Sequence, residues 1–178
     1  MLRKTYPDDL SESEWRLIKG LLRTDYSKGG RKPKHAKREY LNAIFYWLRT
    51  GCAWRHLPHD FPPWKSVYTQ FKRWKKQGVF VQLEDDLREK IRLKLKRSKE
   101  PSAGIVDSQS VKTTEKGGVK GYDGVKKIKG RKRHILVDTQ GFLLAAKVTE
   151  ANLNDREGLE QLLRTIKNTY RKLKKNLG

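Results

Sequence analysis

Hydrophobic positions recur with helical spacing through the first hundred residues. Between residues 38 and 50, the apolar side chains follow the i, i+3, i+4, i+7 pattern of one helix face, at Leu41, Ile44, Phe45 and Leu48. Similar spacing predicts three further helices, which begin near residue 12, near residue 63 or 64, and near residue 80. The first part of the chain is therefore predicted to be helical.

Local signals mark two of the predicted helix ends. Ser11 and Glu14 stand three residues apart, which is the spacing of a capping box at a helix N-terminus. Gly51 follows the second apolar stripe, where a glycine commonly ends a helix in the left-handed conformation. Both signals support the predicted boundaries.

The pattern changes from helical to strand-like after Pro101 and Ser102. Residues 103–111, 132–138 and 142–149 are short runs with β-branched or alternating apolar positions, and residues 138–141 have the composition of a hairpin turn. A last apolar stripe predicts a helix over 155–175, with Asp155 as its cap. We therefore predict an α+β protein, with a helical domain over 1–100 and a three-stranded antiparallel meander plus one helix over 101–178.

The charge balance changes the picture, because 42 Lys and Arg residues face only 20 Asp and Glu residues, for a formal net charge of +22. A charge of this size points to a polyanionic partner, with a solubilising surface or a ribosomal-type structural protein as the alternatives. The longest apolar run is far shorter than the ~20 residues of a membrane helix, so no membrane partner is expected. The single cysteine, Cys52, and an N-terminus without an apolar signal core predict a cytoplasmic protein.

The predicted helix 64–77 combines an aromatic and aliphatic stripe with a basic outer surface. Together with the helix before it and the proline-rich segment between them, it resembles a helix-turn-helix variant that places basic side chains against DNA phosphates. An ordinary amphipathic helix with a solvated basic face is the alternative. Within the segment, Cys52, His56 and His59 have ligand-like spacing, but a structural zinc site needs a fourth ligand, so a packed loop is the favoured interpretation.

Residues 112–133 are unusually basic and rich in glycine, with nine Lys and Arg residues and five glycines. This composition predicts a mobile arm or an extended hairpin that contacts phosphates without choosing a sequence. A disordered connector is the alternative. The GxxxxGK[ST] pattern of a phosphate-binding loop is absent from the sequence.

Asp107 is the residue with catalytic interest, because it lies within a predicted apolar strand, where a buried carboxylate is costly without a partner or a cation. Carboxylates of this kind hold Mg²⁺ in metal-dependent phosphoryl transfer. A strand-end aspartate that bonds to Ser108 or to the backbone is the alternative.

Three segments resemble bacterial insertion-sequence transposases of the IS-four/five superfamily. They are residues 51–74, which contain GCAWRHLPHDFPPWKSVY and FKRW, residues 106–113 (VDSQSVKT) and residues 121–139 (GYDGVKKIKGRKRHILVDT). The resemblance runs from about Tyr6 to Leu173. It implies a DDE transposase, whose catalytic domain has an RNase H-like fold and uses three carboxylates to hold two divalent ions.

In that family Asp107 matches the first acid of the triad. The second acid would follow the final helix in an Ala-Asp-Gly-Gly-Tyr-like stretch, and this sequence ends before it. We therefore expect Mg²⁺ or Mn²⁺ as the cofactor of the complete enzyme, none bound by this chain alone, and no transposition by it alone. Ribosomal frameshifting and decay of the element are two possible origins of such an ending.

The resemblance implies double-stranded DNA as the partner, both as the terminal inverted repeats of the element and as the target, in the bacterial cytoplasm or nucleoid. The remaining transposase part or further copies of the chain are the other expected partners. A stand-alone module that binds the inverted repeats without catalysis is the alternative function. The residues expected to contact DNA are Arg49, Arg55, Lys65, Tyr68, Lys72, Arg73, Lys75, Lys76, Lys126, Lys127, Lys129, Arg131, Lys132 and Arg133.

Overall fold

A computed structural model describes residues 3–22, 34–113, 118–166, 169–170 and 172–173 of the chain. The chain divides into two compact units, Met1–Asp86 and Leu87–Gly178. None of the helices within the described ranges is long and apolar enough to cross a membrane.

The first unit is helical, as the apolar spacing predicts. Its elements are α1 (Glu12–Ile18), α2 (Lys37–Thr50), a short 3-10 helix (Trp54–His56), α3 (Trp64–Lys76) and the first part of α4 (Val79–Lys94). The predicted capping box is confirmed, since the Ser11 hydroxyl accepts from the Glu14 amide and the Glu14 carboxylate accepts from the Ser11 amide. Gly51 ends α2 with a φ of 65°, as predicted.

The interior of this unit consists of aliphatic and aromatic side chains. Leu41, Ile44 and Val67 are fully buried. Trp47 stacks on Trp54 with 4.1 Å between ring centroids. The apolar positions of α2 and α3 thus meet, which leaves the basic positions of α3 on the outside.

The second unit is a four-stranded antiparallel sheet with one helix packed on it. The strands are β1 (Gly104–Lys112), β2 (Gly121–Asp123), β3 (Ile128–Asp138) and β4 (Leu143–Glu150), and the helix is α5 (Asp155–Ile166). β1 pairs along one edge of β3. On the other edge, β2 pairs with the first part of β3 and β4 pairs with the rest. The predicted β1–β3–β4 meander is confirmed, and β2 is an additional strand.

α5 covers one face of the sheet and forms the apolar core with it. The buried members of this core are Leu136, Leu144, Leu162, Ile166 and Tyr170. The opposite face carries side chains of alternating residues, of which Ile105, Ile135 and Val148 are exposed. The sheet is therefore covered on one side only by the described residues.

Three predictions about the second unit need correction. Of the two forms predicted for the basic segment 112–133, its described part is an extended hairpin rather than a mobile arm, because it contributes β2 and the first half of β3 to the sheet. α5 is described over Asp155–Ile166, and it does not continue to residue 175, because the described residues 169–170 and 172–173 are not helical; residues 167, 168, 171 and 174–178 lie outside the described residues. Asn154, rather than Asp155, caps α5, since its Oδ1 accepts the Glu157 amide at 2.8 Å.

Candidate functional site

Asp107 lies in the middle of β1, opposite Ile135 of β3, on the sheet face that α5 does not cover. Its side chain is exposed, so the argument from a buried carboxylate in an apolar strand is wrong. Its Oδ1 accepts the backbone N–H of Ser108 at 2.8 Å, which holds the carboxylate close to the strand. The hydrogen bond between Asp107 and Ser108, which was the alternative prediction from the sequence, is therefore present, and it leaves the carboxylate accessible to solvent.

The chemistry of Asp107 fits one ligand of a divalent cation. Carboxylate oxygens are the donors that Mg²⁺ prefers, and Mg²⁺ keeps several waters when a protein binds it through one or two carboxylates. Within the described ranges, no three side chains of His, Cys, Asp or Glu come together as a metal-ligating group, and this includes Cys52, His56 and His59. Asp107 thus fits as a single member of a metal site.

A polar network centred on the buried Lys132 lies on the α5 face of the sheet. The Lys132 ammonium sits 2.9 Å from Asp155 Oδ1 and 3.8 Å from Asp123 Oδ2, and it donates to the Leu153 carbonyl at 2.9 Å. The hydrogen bond with Lys132, together with one from Ser108, lowers the pKa of Asp155 below its usual value. Ser108 thus lies between Asp107, to which its amide donates, and Asp155, whose pKa its side chain helps to lower.

Asp123 holds the other end of the network. Its carboxylate accepts from the amides of Val125 at 3.1 Å and Lys126 at 3.0 Å, and from the Ser110 hydroxyl at 2.5 Å. The bond from Lys126, followed by that from Ser110, lowers the pKa of Asp123. The carboxylate thereby fixes the turn after β2 against β1.

His134 is buried between α5 and the sheet. Its Nε2 lies 3.0 Å from the Thr149 hydroxyl. The ring fits only because residue 158 is a glycine, since a Cβ there would stand 2.0 Å from His134 Cε1. Burial lowers the pKa of His134, an effect that Asp155 opposes and Lys132 reinforces.

A second buried ion pair joins α4 to the hairpin between β3 and β4. Arg92 contacts Asp138, and both side chains are almost completely buried. Asp138 also accepts the amides of Gln140 at 2.8 Å and Phe142 at 2.9 Å, which confirms its predicted role in the turn. The end of α4 is thus part of the second unit.

The sequence prediction did not identify these buried charges. A signal was present, because Lys132 and His134 have the same alternation along β3 as the core residue Leu136. The high density of basic residues around Lys132 obscured that alternation.

The basic residues predicted on α3 lie in solvent. Lys65, Lys72, Arg73, Lys75 and Lys76 are exposed around the buried side of the helix. Tyr68 is 38% exposed, and the Lys72 ammonium lies 5.6 Å from its ring centroid. Arg55 and Lys65 both lie 5.8 Å from the Trp64 ring. This combination of cations and partly exposed rings forms one surface of the first unit.

The remaining predicted DNA-contacting residues have different environments. Arg49 is exposed and lies 3.7 Å from Asp8. Lys126, Lys127 and Lys129 are exposed at or beside the turn after β2. Arg131 donates to the Val119 carbonyl at 3.0 Å, and Arg133 donates to Gln109 at 2.6 Å. Lys132 is buried, so its charge serves the internal network rather than the surface, and the DNA contacts of the other residues stay predictions.

Two comparisons with known proteins bear on the identity of the chain. Residues 10–84 match the family described as "Putative transposase of IS4/5 family", and residues 98–176 match the family described as "Transposase DDE domain". An uncharacterized protein, y4sN, of Sinorhizobium fredii is 30% identical over 76 residues, which span 43% of this chain and 60% of that protein. No solved structure matches the chain.

The two family matches are consecutive and account for most of the sequence. The DDE match implies an RNase H-like fold, with which the antiparallel β1–β3–β4 meander and the following α5 agree. On these grounds the chain is similar to transposases of the IS4/5 family over residues 10–84 and to transposase DDE domains over residues 98–176.

Proposed function

We propose that this chain binds duplex DNA during transposition of an insertion sequence and supplies Asp107 as a metal ligand of the catalytic site. The observation that carries the proposal is the exposed carboxylate of Asp107 on β1, within the segment that matches the DDE domain. An accessible carboxylate on a strand is the arrangement that a metal bound between protein and phosphate requires.

Contacts on both faces of the sheet lie near this carboxylate. The Ser108 amide orients Asp107, and Lys132 pairs with Asp155 on the opposite face of the sheet. When bound, a divalent ion would activate water and stabilise charge on the phosphate that is cut. Asp107 would hold the ion, and the hydrogen bond from the Ser108 amide limits the movement of its carboxylate.

The basic surface of α3 supports the DNA-binding half of the proposal. Its cations are exposed and stand on a rigid helix whose other side is buried through Val67 and Trp74. Lysine and arginine side chains on such a surface neutralise phosphates and set the position of the protein on the duplex. Rings such as Tyr68 add contact area between these charges.

Salt-dependent binding tests this role of α3. The full chain is titrated with a duplex that carries the inverted repeats flanking its gene and with a random duplex of equal length. Lys72→Gln or Lys75→Gln should each reduce the slope of log affinity against log salt by about 1, because each removes one phosphate contact. Lys94→Gln, at an exposed lysine of α4, is the matched control and should leave the slope unchanged.

Two outcomes would count against this part of the proposal. Equal slopes for Lys75→Gln and Lys94→Gln would remove α3 from the DNA-binding surface. Equal affinity of the wild-type chain for both duplexes would leave only phosphate contact without recognition of the repeats.

A binding module without catalysis is the second candidate, because the described residues hold no group of three metal ligands. The two candidates are separated by incubating supercoiled DNA and Mg²⁺ with the wild-type chain and with Asp107→Asn. Binding without nicking in either protein favours the module. Nicking that is lost in Asp107→Asn, but kept in the control Glu150→Gln, favours a catalytic role for Asp107 in this chain.

A further inference from the structure

The segment from β2 to the start of β3, residues 121–130, forms a short β-hairpin that we call the basic hairpin. Gly121 pairs with Gly130 and Asp123 with Ile128, so a four-residue turn over 124–127 connects the two strands. A two-stranded hairpin alone is marginally stable, and this one is held by contacts with the rest of the sheet.

Three contacts make the basic hairpin rigid. The Asp123 carboxylate binds two amides of the turn and the Ser110 hydroxyl of β1. Gly130 packs so closely that a Cβ there would lie 1.9 Å from the Val111 carbonyl oxygen. A Cβ at Gly121 would likewise lie 1.9 Å from Asn152 Oδ1. These contacts attach the hairpin to β1 and to the segment that follows β4.

The rigid hairpin presents apolar as well as charged groups to solvent. Val125 is 94% exposed at the turn, and Tyr122 is 55% exposed on β2. Around them, the exposed cations are Lys120, Lys126, Lys127 and Lys129. Contact with phosphates alone would need only the cations, which leaves Tyr122 and Val125 without a role.

Duplex DNA offers both kinds of surface that the hairpin matches. Its phosphates line the edges of each groove, and the sugars and base edges between them have apolar parts, such as the thymine methyl. The major groove is wide enough to admit a two-stranded β-ribbon. The cations of the hairpin therefore match the phosphates of duplex DNA, and its exposed apolar side chains match the interior of the groove.

We propose that the basic hairpin enters the major groove of duplex DNA, with Tyr122 and Val125 against its interior and the lysines on the flanking phosphates. This inference rests on the proposed function, because it assigns a second contact of the same chain to the same substrate. It adds Tyr122 and Val125, which are not basic, to the residues proposed to contact DNA.

The test compares apolar and charged substitutions in the full chain by fluorescence anisotropy with a labelled duplex over a series of salt concentrations. Tyr122→Ala combined with Val125→Ser should weaken binding about tenfold at every salt concentration, without a change in the salt slope. Lys126→Gln should instead reduce the slope by about 1. Tyr122→Phe should bind like the wild type, because the ring is retained.

Val81→Ser is the matched control, since Val81 is 62% exposed on α4. Wild-type far-UV circular dichroism of all variants would establish that the fold is intact. Duplexes with the major groove filled by glucosylated bases supply the second readout, and we expect them to reduce wild-type affinity and abolish the difference between wild type and the double variant.

The outcomes that overturn the inference are distinct from those that overturn the proposed function. Wild-type affinity of the double variant would exclude the hairpin contact and leave DNA binding intact. Failure of the wild-type chain to bind any duplex would exclude both. Stronger binding to vesicles of anionic phospholipid than to duplex, lost in the double variant, would assign the hairpin to a membrane surface instead.

Discussion

The buried residues of Met1–Asp86 are almost all aliphatic or aromatic, whereas those of Leu87–Gly178 include several charged groups. In the first unit, Asn42 is the buried polar residue among those described, and its Oδ1 accepts the Leu10 amide at 3.1 Å. The buried polar and charged residues of the second unit are Arg88, Arg92, Ser110, Asp123, Lys132, His134 and Asp138.

The basic residues of the chain therefore serve two purposes. On α3, a helical period separates cations from the apolar side, so every predicted cation there remains in solvent. On β3, the strand alternation carries Lys132 inward among carboxylates. A buried ion pair makes a fold sensitive to the loss of one partner, because the remaining charge is left without compensation.

The largest expected effect comes from breaking the ion pair between Arg92 and Asp138. Arg92→Met should destabilise the second unit by about 3 kcal/mol, since the buried Asp138 carboxylate loses its counter-ion. Native-state hydrogen exchange of the β3 amides measures this loss. Tryptophan fluorescence follows the unfolding of the first unit for comparison, because all five tryptophans lie in that unit.

Lys94→Met, at an exposed position of the same helix, is the control and should change exchange in β3 by less than about 0.5 kcal/mol. Unchanged protection of β3 in Arg92→Met would show that the polar interior does not support the second unit.

A smaller loss is expected when the space for His134 is filled. Gly158→Ala places a Cβ against the buried imidazole, and displacement of a packed ring typically costs about 1–3 kcal/mol. Urea unfolding followed by far-UV circular dichroism measures the change. Gly124→Ala is the matched control, because nothing lies within 4 Å of a Cβ at that turn position; equal stability of the two variants would contradict the packing of α5 on His134.

The smallest effect should be a loss of stability in mild acid through His134. The fold lowers the pKa of His134 below the usual 6.5. Above pH 6.5 the ring is therefore neutral in both the folded and the unfolded chain, and its contribution to the stability of the fold is fully present. As the pH falls below 6.5, the unfolded chain binds a proton that the folded chain resists, and stability decreases. The unfolding midpoint should therefore decrease when the pH is lowered from 7.5 to 5.5.

His134→Gln should flatten this dependence, while the control His59→Gln, at an exposed histidine, should retain it. The carboxylates of Asp123 and Asp155 do not interfere in this window, because their lowered pKa values place their loss of stabilisation below about pH 3.8. A steeper dependence in His134→Gln than in the wild type would contradict a neutral buried ring.

Local patterns predicted most of the elements. The capping box at Ser11, the glycine end of α2 and the hairpin turn at Asp138 were predictable because each depends on neighbouring residues and backbone geometry alone. Asp107 was selected through the family resemblance, and its exposure was not foreseen. β2 was missed because only three residues form it and its partner, the start of β3, is rich in lysine and glycine.

Periodicity and capping in the sequence alone were enough to define the helices of the first unit and the order of the three main strands, since these follow from local conformational preference and from which positions must leave water. Tertiary structure decided which charges are buried. Lys132 joins Asp123 and Asp155 only after β2, β3 and α5 come together. Arg92 meets Asp138, across 46 positions of sequence, only after α4 packs against the β3–β4 hairpin. A charge can enter the interior only if its partner arrives with it, and such a pairing depends on the distance in space rather than on the spacing along the chain.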